Sequence, residues 1–169
     1  MKTFLADCRH GKFLLLTGDM ISEHMKEYGV WAEPEVGLCL DILAHMPGDM
    51  VEAGPFIGTH TVPLARAAAA TGHHVLAVEP QRVIHQVLCA NLALNNLTNV
   101  HAVHGAAVPS ALPFPLFAQD SDYSVPWNYG AFSINKGFNS EKPFPGPTTR
   151  RPVQRVIIDY AYPIDSQPH

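Results

Sequence analysis

The chain has 169 residues, a net charge of −4 and 15% charged residues. That length fits one domain, which would bury roughly 70% of its unfolded surface without needing staples. The composition excludes a domain relying on a basic stripe for nucleic acid, and no stretch reaches the roughly 18–20 apolar residues that span a bilayer.

The three cysteines, Cys8, Cys39 and Cys89, form no C-x-x-C pair, and their odd count cannot close a disulfide framework. The N-terminal MKTFLADCRHGKFLLL breaks its apolar runs at residues 7–12, so it lacks the apolar centre of a signal peptide. The expected setting is cytoplasmic.

In chain order, apolar runs at 2–8 and 12–17 flank Arg9-His10-Gly11 and predict a β-hairpin. Thr17-Gly18-Asp19 signals the cap of a helix over about 19–28 that ends at Gly29. A second helix opens at Glu33-Pro34, carries an apolar face through Val36, Leu38, Leu40, Ile42, Leu43 and Met46, and stops at Pro47-Gly48. Residues 49–108 then alternate: a strand over 49–53, a helix from Thr59 to Ala70, a strand over 74–79, a helix over about 81–95 and a strand over 100–104. Such a βαβαβ run gives a parallel sheet covered by helices. Residues 109–152, rich in Pro, Gly, Asn and Ser, read as a long ordered loop or irregular hairpin, and 153–160 as a further strand. The whole reads as one α/β, Rossmann-like domain.

The chemistry concentrates in 51–81. A strand ends in Glu52, turns through Gly54-x-x-x-Gly58 and opens a helix at Thr59, while the next strand ends in Glu79, 21 residues after Gly58. Glycines let a ligand approach the backbone, and amides at a helix start supply donors and a positive dipole end. An acid closing the second strand can accept hydrogen bonds from both ribose hydroxyls. These features describe a nucleoside cleft; the structural alternative is a tight βα turn with a solvated Glu79. The turn lacks G-x-G-x-x-G, which disfavours NAD, and Glu52 suits the positive amino-acid end of S-adenosylmethionine better than a pyrophosphate.

At these residues the chain resembles the FkbM-type S-adenosylmethionine-dependent methyltransferases. The likeness rests on Val51–Arg66, Val78-Glu79-Pro80-Gln81, Leu88–Asn95 and Asn99-Val100, with Tyr28–Glu33 upstream and Asn128-Tyr129-Gly130 downstream. It covers about 19–160 and is strongest over 49–108. It implies a Rossmann-like class I methyltransferase sheet and methyl transfer to a hydroxyl of a small molecule or sugar. Carried across, it implies that Glu52, Gly54, Phe56, Gly58 and Thr59 shape the cofactor pocket. Glu79 would hold the ribose between Pro80 and Gln81, and Ala106 and Ala107, following the third strand, would lie near adenine.

Three departures bear on this. Glu52 stands where the family has Asp. Pro55-Phe56 replaces the usual Ala-Asn, which removes an amide donor and adds a bulky ring that could fill the methionine end. The acidic strand expected after Val153–Asp159 does not appear. The sheet therefore reads as truncated, with an open edge that invites pairing with another chain. A homo-oligomer covering that edge fits the low charge fraction. The alternatives to an active enzyme are a fragment, a non-catalytic binding or assembly module, or an NAD protein.

Elsewhere, His101 and His104 point to opposite faces of a strand, and His73-His74 has no acid nearby in sequence, so no metal site is expected. His60, in the first turn after Gly58, is a candidate base toward a hydroxyl, with packing or capping as the alternative. Asp120, Asp122, Tyr123, Trp127, Asn128 and Tyr129 lie where loops build substrate pockets, and equally where aromatics pack on the sheet.

Overall fold

Short apolar runs around Arg9-His10 form the expected hairpin, with β1 (Thr3–Cys8) pairing antiparallel with β2 (Gly11–Leu16). A computed structural model describes residues 1–108, 117–119, 122–131 and 150–157. Asp120, much of the expected 109–152 loop and residues 158–160 of the expected last strand lie outside them.

Helix α1 (Met20–Tyr28) starts at Asp19, whose carboxylate accepts from Ser22 N at 2.8 Å, and it ends at Gly29. Asp19 has a second task that its capping position does not announce. Its other oxygen accepts from Tyr129 N at 3.1 Å, 110 residues away. Trp127 reinforces this junction, donating through N to Gly18 O and accepting from Met20 N. Because Asp19 is fully buried, Asp19→Ala would leave two amides without a partner. Loss of the cap and of the Tyr129 bond should lower the unfolding free energy by about 2–3 kcal/mol. Urea denaturation checks this, and a change below about 0.5 kcal/mol would show that the junction is not structural.

Helix α2 (Glu33–His45) runs as expected, but most of its apolar face stays open. Only Val36 is buried. The periodicity identifies the face and says nothing of whether a neighbour lies against it.

The alternating core follows as β3 (Met50–Ala53), α3 (Thr61–Ala70), β4 (Val75–Glu79), α4 (Arg82–Leu94) and β5 (Val100–Val108). Two expectations change here. The helix after Gly58 begins at Thr61 rather than Thr59, because 56–60 form a turn. The third strand continues past His104 to Val108, so Ala106 and Ala107 lie within it and do not follow it. The extension has a tertiary cause: Gly105–Val108 pair with Gln154–Ile157.

That last segment is β8, the further strand expected near 153–160. Between them lie β6 (Phe117–Gln119) and β7 (Arg150–Pro152), an antiparallel pair that gives the loop region its hairpin character. The four strands β3-β4-β5-β8 form one parallel sheet in that order, an α/β, Rossmann-like arrangement. β3 occupies an edge, with no further partner among the described residues.

The main core joins the hairpin to the helices. Phe13, Leu15 and Leu16 of β2 pack with Ile21 and Met25 of α1, Ile84 and Val87 of α4, and with Phe56, Ile57, Val62 and Tyr129. Two asparagines spaced by four on α4 bolt the hairpin in place. Asn91 accepts from Leu14 N and donates to the carbonyls of Leu14 and Ile57, while Asn95 accepts from Lys12 N and donates to Lys12 O. Among the described residues no helix is long and apolar enough to cross a membrane.

Candidate functional site

The site is built where β3 and β4 end side by side. Register pairs Glu52 with Ala77 and Ala53 with Val78, which puts the glycine turn beside the last residue of β4, Glu79. Gly54 holds the left-handed φ of 74° at the mouth of the turn, and a Cβ added there would meet nothing within 4 Å. This is the open approach that a ligand needs.

Gly58 is a glycine for a different reason. At φ 90°, a Cβ on it would lie 2.9 Å from Leu88 Cδ1, so its missing side chain lets α4 pack against the turn. It positions the site by packing and does not face outward. Thr59 is buried beside it.

Glu79 is the centre of the arrangement. It is 2% exposed, and its two oxygens accept from Phe56 N at 3.0 Å and Gln81 N at 2.8 Å. Burial pushes its pKa up to about 7; the two amides oppose this, and the Glu52 charge adds to it. Glu52 lies on β3 and accepts from Thr61 Oγ1 at 2.7 Å. Burial raises its pKa too, against the pull of that hydroxyl.

The Pro55-Phe56 departure has a clear structural result. Phe56 adopts φ 55°, a left-handed conformation costing about 1–2 kcal/mol for a residue with a side chain. Its amide is held by Glu79 and its ring is buried among Ile21, Ile57 and Tyr129. The ring thus enters the hairpin-side core.

The next residues are enclosed as well. Pro80 presents its carbonyl to His104 Nε2 at 3.2 Å. Gln81 is buried, donates through Nε2 to Tyr129 O at 2.9 Å and accepts from the Tyr123 hydroxyl at 3.3 Å. Tyr123 and Tyr129 meet edge to face with ring centroids 5.1 Å apart. The segment 122–131 therefore crosses from the start of α1 to the end of β4.

Of the loop candidates, Tyr129 is a core residue and Tyr123 a bridge to Gln81. Trp127 belongs to the α1 junction. Asp122 accepts from Ser124, and Asn128 accepts from Gly130 N. Ala106 and Ala107 lie on β5 just beyond His104, the partner of Glu79, where they pair with Arg155 and Val156 of β8, and Ala106 packs with Val153.

His60 sits at the cap position of α3 without making a capping bond. Its Nε2 is buried without a partner, and burial holds its pKa below the ordinary histidine range. His73 and His74 do have an acid, Asp49, at 3.4 and 3.9 Å, which the chain brings from 24 residues upstream of His73. Among the described residues no group of three or more His, Cys, Asp or Glu side chains is placed to hold a metal ion.

Sequence reasoning missed the Gln81–Tyr129 and Asp19–Tyr129 links. Both join residues far apart in the chain, and no local pattern encodes them.

No family model and no curated protein matches the chain. Among solved structures, it is similar to a SAM-dependent methyltransferase from Agrobacterium tumefaciens, with 14% identity and a TM-score of 0.46, covering 63% of this chain and 33% of that one. It is also similar to TYW2 of M. jannaschii, solved in complex with AdoMet, with 21% identity and a TM-score of 0.41, covering 59% of this chain and 42% of that one. The chain thus spans less than half the length of either structure.

Proposed function

We propose that the chain is an S-adenosylmethionine-binding domain of a methyltransferase acting on a hydroxyl of a small molecule or sugar. The observation that carries this reading is the buried Glu79 carboxylate beside the open Gly54 turn, at the carboxyl ends of adjacent parallel strands. Crevices at the carboxyl ends of parallel strands are where open α/β sheets bind ligands. A carboxylate has about four acceptor positions, and the two amides on Glu79 leave capacity for ribose hydroxyls. The donor set fits the nucleoside half of the cofactor.

In this reading Glu79 holds the ribose, with Pro80 and Gln81 flanking it, while Gly54 and Phe56 shape the approach and Gly58 and Thr59 support the turn from beneath. Glu52 faces the cofactor's amino-acid end from β3. The cofactor, when bound, supplies an electrophilic methyl group on a sulfonium. The FkbM-type resemblance supports the hydroxyl acceptor.

A second reading, a non-catalytic module of the same fold, is favoured by one observation: Glu79, Phe56 and Gln81 are all buried, with Gln81 bonded to Tyr129 and Phe56 packed in the same core. Calorimetric titration with S-adenosylhomocysteine separates the two. The first reading expects saturable binding that Glu79→Ala weakens by about 1–3 kcal/mol, the scale for a charged hydrogen-bond partner, and no comparable binding of NAD. Absence of heat at millimolar ligand would favour the second.

A further inference from the structure

Helix α2 is apolar through Val36, Leu38, Cys39, Leu40, Ile42, Leu43 and Ala44, yet buries only Val36. A helix that is apolar around most of its circumference is normally covered. At 100° per residue, Glu35, Leu38, Ile42, His45 and Met46 share one face. All five are exposed; Leu38 is 62%, Ile42 50% and Met46 73% accessible. Beside Ile42 and Met46 opens a cavity of about 240 Å³ whose floor includes Cys39, Leu43 and Met50.

We propose that this face binds a second copy of the chain, with the two α2 helices packed antiparallel about a two-fold axis between Leu38 and Ile42. The order of side chains along the face specifies the occupant. Reversing the helix about that axis sets Leu38 against Ile42 of the second copy, and Ile42 against Leu38. The same operation sets Glu35 of each copy against His45 of the other, an opposite-charge pair made twice when the histidines are protonated. This is the self-complementarity that a two-fold interface requires. Antiparallel packing also opposes the two helix dipoles, with the acids Glu33 and Glu35 in the first turn and His45 in the last. Leu38 of the second copy lies over the cavity beside Ile42. A parallel arrangement would instead stack Glu35 on Glu35.

The proposal is independent of the cofactor reading, and sedimentation equilibrium tests it without any ligand. The wild-type chain is expected to be dimeric at about 100 μM, a concentration well above a micromolar dissociation constant. Ile42→Glu, at an exposed position that leaves the monomer fold intact by circular dichroism, should weaken association by about tenfold or more. At pH 6, Glu35→Lys should weaken it by about two- to fivefold, and adding His45→Glu should restore it. A monomeric wild type, or a dimer indifferent to Ile42→Glu, would overturn the proposal. Loss of association without charge-swap rescue would overturn the antiparallel register.

Discussion

Replacing Asn91 with alanine should lower the unfolding free energy by about 4 kcal/mol, the largest single effect expected in this chain. The side chain is fully buried and satisfies Leu14 N at 2.6 Å, Ile57 O at 2.8 Å and Leu14 O at 3.2 Å. Each buried partner left unmade costs about 1–3 kcal/mol, less whatever water recovers. A domain has only about 5–15 kcal/mol in hand, so the variant should melt well below the wild type. Asn91→Asp should rescue little. It keeps an acceptor for Leu14 N but sets a carboxylate against two carbonyl oxygens. Urea denaturation followed by near-ultraviolet circular dichroism measures both variants. A loss below about 1 kcal/mol for Asn91→Ala would mean that the hairpin is held by its apolar face alone.

The second large effect is a pH dependence centred on Glu79. Its pKa stands at about 7 in the folded chain against an ordinary 4.5, chiefly through burial. Between those values the folded protein holds a proton that the unfolded chain releases. Stability therefore falls as pH rises through that window, and its full contribution is present below 4.5. The interval corresponds to about 3 kcal/mol. Asp19 and Glu52, both raised by burial, act in the same sense. His60 and His85, both lowered by burial, act in the opposite sense, since their folded forms resist protonation as pH falls.

The clean observable is the difference between wild type and Glu79→Gln. The variant loses one amide bond and is less stable at pH 5, but it should show a flatter decline between pH 5 and pH 8. Parallel curves for the two proteins would show that Glu79 stays ionised throughout. The same charge sits under the proposed cofactor site, so the carboxylate that would bind ribose is also a source of instability when ionised, as expected of a functional acid held out of water.

Where local chemistry decides structure, the sequence was a good guide. Asp19 and Gly29 bracket α1, Pro47-Gly48 follows α2, and Gly54, Gly58 and Glu79 mark the turn and the strand end that the fold brings together. Where partners come from far along the chain, it was not. Ala106 and Ala107 look like residues beyond a strand, because the segment that extends β5 lies some 50 residues later. Asn91 and Asn95 share the buried face of α4 with Ile84, Val87 and Leu88, and nothing local shows that their amides bind β2. Tyr129 reads as a loop aromatic, and its burial depends on Asp19 and Gln81 together. Phe56 looked able to fill the methionine end, and its left-handed backbone turns the ring into the core.

The central claim is a nucleoside site at the carboxyl ends of β3 and β4, and amide chemical-shift mapping on the ¹⁵N-labelled chain tests it most directly. Titration with S-adenosylhomocysteine should move the amides of Gly54, Phe56 and Gln81, which border Glu79, together with Tyr129, which closes over Gln81. Spectra unchanged at millimolar ligand, or shifts confined to residues away from this turn, would contradict it.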